Sequence, residues 1–127
     1  MSLLPCVASL AAARSRDPLV DGSIGLAVEL VAYVEAQCPA VIFGPTRQSR
    51  SAADARHLAI YLAHMTLGHD VSVIGRIFRR DRATIRHAVR RIAKRREDSA
   101  FDAKLVALES ILAPLSHATA GAKHHAR

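Results

Sequence analysis

Apolar residues recur along this chain at intervals of three and four, and no stretch alternates apolar with polar as a half-buried strand requires. That periodicity confines the chain to an all-α fold. Leu3, Leu4, Val7, Leu10 and Ala11 stripe a short first helix or a flexible segment, which "RDPLVDG" interrupts. A second helix is expected to open at Asp21 or Ser23, bury Ile24, Ala27, Val28, Val31 and Val34, and stop before Pro39. "VIFGPTRQSR" reads as a basic loop. Ser51 then caps a helix with Asp54 in the capping-box place, burying Ala55, Leu58, Ala59, Leu62 and Met65 or Thr66, until Gly68 ends it in a left-handed cap. Asp70 caps the two-turn helix "VSVIGRIF", with Val73, Ile74 and Phe78 inward. Arg79 and Arg80 form a tight turn, and Asp81 caps a helix whose inner stripe is Ile85, Ala88, Val89 and Ile92. Ser99, with Asp102 three residues on, opens a last helix carrying Leu105, Leu108, Ile111 and Leu112 before Pro114. The chain therefore divides into an N-terminal segment (1–20), one helical domain (21–113) and a frayed, flexible tail (114–127).

With 127 residues, 50% of them apolar, such a domain can bury a core without disulfides or metal. The charge is unevenly spread. Residues 76–96 hold ten of the 18 Lys and Arg but one of the 11 acids, so a net charge of +7 reflects one basic patch. A patch of this kind meets a polyanion or an anionic surface and speeds association with it. Cys6 and Cys38 form no C-x-x-C pair and read as reduced packing residues of a cytosolic protein. The seven histidines stand at no metal-ligand spacing, and no metal or other cofactor is expected. No G-x-S-x-G, H-E-x-x-H or paired carboxylate in an apolar context points to an enzyme. No apolar run approaches a spanning length, and the start of the chain lacks the basic region of a signal peptide. A basic helix can also lie on lipid, but Ile85, Val89 and Ala88 are sized for a protein core, and no membrane partner is expected.

A four-turn helix, a turn, a two-turn helix, a tight turn and a basic helix follow one another in helix-turn-helix order, with the last helix aimed at a major groove. On that geometry Arg82, Ala83 and Arg86 reach base edges, and Asp81 either caps the helix or accepts from a cytosine amine. Arg90, Arg91 and Lys94 lie toward phosphates, and His87 on the same arc either meets a phosphate or supports the helix. The expected partner is double-stranded DNA, and the expected location cytoplasmic.

The stretches "RHLAIYLAHMT" and "VSVIGRIFRRDRATIRHAVRRI" resemble the C-terminal DNA-binding domain, domain IV, of the bacterial replication initiator DnaA. Arg56, Tyr61, Leu62, Ile74, Gly75, Phe78, Arg80, Asp81, Thr84, Ile85, His87, Ala88, Arg91 and Ile92 carry the match, and the resemblance extends over roughly residues 22–110. It implies a Trp-repressor-like helical domain whose basic loop enters the minor groove while the helix after Asp81 reads a short asymmetric site. Asp81 and Thr84 would be retained base readers, and Arg56, His57, Arg80 and Arg91 contacts to the backbone. Two departures bear on specificity: Arg82 stands where the family has His, and Ala83 where it has Thr. Arg favours guanine and Ala touches only a thymine methyl, so the preferred site should shift. The family's minor-groove arginine falls on Gln48, with Arg47 and Arg50 on either side, and any of these can supply the contact.

No G-x-x-x-x-G-K-[ST] occurs in the sequence, so the initiator's ATPase is not expected and the chain reads as a regulator of replication initiation or of transcription. A rival from another class is a protein-interaction module that keeps the initiator fold but docks on replication initiation proteins through apolar residues of the N-terminal segment. RNA is disfavoured because few aromatics are present to stack unpaired bases. The sequence leaves monomer and homodimer both open.

Overall fold

The computed structural model describes residues 18–44 and 49–124, with side chains described for 22–44 and 49–116. Every regular element among them is helical: α1 (Pro18–Glu35), α2 (Pro39–Phe43), α3 (Arg50–Tyr61), which runs into a π turn (Leu62–Thr66), α4 (Val71–Phe78), α5 (Arg82–Arg95) and α6 (Ser99–His124). The expected short helix before Arg14, together with Arg47 and Gln48, lies outside the described residues.

The ends of the helices explain most of their placement. α1 begins at Pro18, ahead of the expected Asp21 or Ser23, because proline in a first turn lacks only an amide that would have no intrahelical partner. Ser23 is instead buried inside the helix, its hydroxyl 2.7 Å from His69 Nε2, which ties α1 to the link between α3 and α4. The helix closes with Ala36 left-handed (φ 54°) and the Gln37 amide donating to the Ala32 carbonyl at 2.9 Å. Pro39 does not merely end α1; it starts α2, so residues expected in the loop form a helical turn. Cys38, before it, is disulfide-bonded, against the expectation of a free thiol; two isolated cysteines carry no spacing signal that could have shown it.

The cap of α3 is Ser49, whose hydroxyl accepts from the Ala52 amide at 3.1 Å, rather than Ser51. At its far end the Leu67 amide donates back five residues to the Leu62 carbonyl at 2.9 Å. The extra residue in that turn rotates the following side chains, so Leu67 is buried, while of the two residues either of which was expected inward Met65 is exposed and Thr66 half-buried. Gly68, with φ +81°, ends the element in the left-handed cap its position predicts.

α6 is capped by Asp98, one residue before the expected Ser99: its carboxylate accepts from the Ala100 amide at 3.3 Å and its carbonyl from the Asp102 amide at 2.9 Å. Asp102 turns to Arg96 instead of completing a capping box. Phe101, Leu105, Leu108 and Leu112 are buried, but Ile111, expected inward, is exposed, and the helix continues past Pro114 to His124 where a stop was expected. Leu115, just beyond the proline, packs against the core and extends the buried stripe. Both expected domain boundaries, at 20/21 and 113/114, therefore fall within helices.

α3 occupies the centre, with α1, α2 and α5 packed on it and α4 braced between the π turn and α5. Phe78 is fully buried, its ring 5.1 Å from that of Phe43, so the end of α4 is seated against α2. On α5 the buried residues are Ile85, Ala88 and Ile92, the stripe expected from the sequence, with Val89 half-buried. One face of the cationic helix is thus fixed by apolar contact and the other is left to solvent.

Candidate nucleic-acid interface

The turn that sets α5 is built from backbone geometry. Arg79 is left-handed (φ 57°), its amide donates to Arg76 O at 3.4 Å, and the Arg80 amide donates to Gly75 O at 2.9 Å. This reversal brings the Arg80 carbonyl so close to Gly75 that a Cβ there would meet it at 2.7 Å. Glycine at 75 is therefore a steric requirement of the turn.

Asp81 then caps α5: its Oδ1 accepts from the Thr84 amide at 2.9 Å. Hydrogen bonds from the Thr84 hydroxyl and amide hold the carboxyl below its ordinary range. The two residues expected to read bases are thus bonded to each other, and the carboxylate orients the first turn.

Arg82, Ala83, Thr84, Arg86, His87, Arg90, Arg91 and Lys94 are all exposed, as the sequence places them. The ion pairs among the described residues join Arg96 to Asp102 and Glu109, and Lys104 to Glu35, so none neutralises Arg82, Arg86, Arg90, Arg91 or Lys94. The last turn of α5 behaves differently. Arg96 bonds Asp102 at 2.5 Å, Tyr61 Oη at 3.0 Å and Glu109 at 3.0 Å, while Arg95 lies over the Phe101 ring at 3.9 Å. These bonds, that to Asp102 foremost, raise the Arg96 pKa. Three turns of free cation are followed by one turn that anchors α6.

Two arginines expected on the DNA backbone donate to carbonyls of the chain itself. Arg56 is buried, its Nε donating to the Ile42 carbonyl at 2.8 Å and its Nη2 to Val41 and Gly44 carbonyls at 3.3 Å each. It caps the end of α2, whose last carbonyls have no helical partner. Arg80 donates from Nη2 to the same Gly44 carbonyl at 2.7 Å and from Nη1 to Phe78 O at 2.6 Å. Burial lowers both pKa values, and the neighbouring charge of Arg80 adds to the effect on Arg56. Gly44 immediately precedes the basic segment, so these arginines hold its base; Arg50, at the start of α3, is exposed.

His57 is half-buried, meets His87 edge-on at 6.3 Å, and its buried Nδ1 has no protein partner. Burial first, then the charge of Arg91, pushes its pKa below the ordinary histidine value. α3 and α5 thus bring His57, His87 and Arg91 together, a cluster the sequence offered only as separate residues. Arg76 and Arg79 escaped the sequence reading as site residues because one falls inside the short helix and the other in the turn. Both are exposed beside Arg82. Among the described residues no group of three or more His, Cys, Asp or Glu is placed to hold a metal, and no helix is long and apolar enough to cross a membrane.

A short helix, a left-handed tight turn and a basic helix with its leading face uncovered define a helix-turn-helix domain. Residues 37–92 are similar to the family described as bacterial DnaA protein helix-turn-helix. The match spans α2 to the last buried residue of α5, leaving α1 and α6 outside it. No significant match was found among curated proteins or among solved structures.

Proposed function

We propose that this chain binds double-stranded DNA sequence-specifically, without ATPase or other enzymatic activity, and regulates replication initiation or transcription. The observation that carries this proposal is the row of unpaired cations along the exposed face of α5. A helix roughly 10–12 Å across fits a major groove about 12 Å wide, with its two sides facing phosphate strands. Arg82, Ala83, Thr84 and Arg86 then face base edges, while His87, Arg90, Arg91 and Lys94 lie toward phosphates. Arg50 and the segment before it lie toward the adjacent minor groove. Asp81 contributes chiefly by fixing the first turn through Thr84.

Selection of duplexes from a random pool, followed by titration of the winner and its scrambled counterpart at fixed salt, tests the proposal. A shared motif bound at least about a thousandfold more tightly than scrambled DNA is expected. Equal affinity for the two would remove sequence-specific recognition. Clusters of the motif near an origin would assign the regulation to replication, and sites at promoters to transcription.

A further inference from the structure

Beside the turn between α4 and α5 the surface opens into a cleft of about 670 Å³, lined by Ser72, Gly75, Arg76, Arg79 and Arg82 among others. The charges around it are not equivalent. Arg80 spends its guanidinium on the Gly44 and Phe78 carbonyls, and the Asp81 carboxylate is engaged by Thr84. Arg76, Arg79 and Arg82 are exposed, and no ion pair among the described residues includes them. Arg79 also holds a left-handed conformation that favours glycine, so a large cation occupies a position where the backbone is better served by no side chain.

We infer that Arg76, Arg79 and Arg82 form a phosphate-binding cleft that grips the DNA backbone beside the base-reading helix. This inference rests on the proposed DNA binding and extends it. Arg82 stands at the first residue of α5 and belongs to both surfaces, so the cleft is continuous with the face directed at bases. When a helix occupies a major groove, a phosphate strand runs along the groove wall past the start of that helix. The cleft is open rather than enclosed, which suits a passing polyanion strand. Arginine forks match phosphate oxygens in paired hydrogen bonds and keep their charge at any accessible pH. The cleft supplies affinity and register; base preference stays with α5.

The test uses the full chain and its selected duplex, with binding measured from 50 to 300 mM salt. The variant is Arg76→Ser with Arg79→Gly, since glycine is at ease in the left-handed turn and the fold is kept. Each phosphate that is no longer neutralised should lower the steepness of log affinity against log salt by about 0.9, so the double variant should fall by about 1.8. Its binding should weaken about tenfold or more at 0.1 M salt, with the ratio of selected to scrambled affinity unchanged. Trimming the duplex on the cleft side should weaken the wild type and leave the variant unaffected. An unchanged salt slope in a variant that melts like the wild type overturns the cleft, and would leave an acidic protein as its ligand. If the wild-type chain shows no motif at all, the failure belongs to sequence-specific binding; the cleft is then tested by the same salt slope on random duplex.

Discussion

The carbonyl oxygen of Arg80 lies 2.7 Å from the point a Cβ on Gly75 would occupy. Because that oxygen is backbone, it cannot rotate away, and Gly75→Ala has to spread the turn. We expect a destabilisation of about 1–3 kcal/mol, as for other overpacked sites. Thermal unfolding followed by circular dichroism should show a midpoint lowered by several degrees, and an unchanged midpoint would mean the turn has room to give.

The proposed function assigns two kinds of contact to the free face of α5. Arg82→Ala and Arg86→Ala should each weaken the selected duplex by about 1–3 kcal/mol and blur its preference, whereas Arg91→Ala should weaken all duplexes alike. Competition titrations against scrambled DNA distinguish the cases. Equal effects on both duplexes for Arg82→Ala would move that residue from the bases to the backbone.

Arg56 ties α3 to the end of α2. Replacing it with methionine keeps the apolar stem but strips donors from three carbonyls at the end of α2. The expected cost is about 2–3 kcal/mol, in the range for hydrogen bonds to charged groups. Urea denaturation should show it. An Arg56→Met protein with wild-type stability but weak DNA binding would return the residue to the interface.

His57 should make the domain acid-sensitive. Its folded pKa lies below the ordinary value of 6.5, held down by burial, Arg91, His87 and Arg56 against the opposing pull of Asp54. The unfolded chain therefore takes up this proton first as pH falls. The contribution is complete above 6.5 and is lost as pH descends through the folded value. His57→Gln should flatten the stability profile in that window. A phosphate beside Arg91 would relieve the same depression, so duplex binding in mildly acidic buffer should take up a proton, measurable as a buffer-dependent heat.

The helix-turn-helix was legible because its signals are local. Asp70 and Asp81 cap the helices their positions predict, Gly68 is left-handed, and the stripe of Ile85, Ala88 and Ile92 is buried. Local pattern misled where tertiary contacts outweighed it. The π turn moved Met65 outward and Leu67 inward, and Leu115 carried α6 past Pro114. For the site, the exposed arc of α5 followed from periodicity alone. The fates of Arg56 and Arg80 did not, because nothing in a one-dimensional pattern tells a cation that meets solvent from one that meets a carbonyl fourteen or thirty-six residues away.

A single oxygen, that of Gly44, receives both Arg56 and Arg80, which join the root of the basic segment to the corner in front of α5. A duplex docked on α5 would therefore find Gly44 at one offset from that helix, held by two guanidiniums at once.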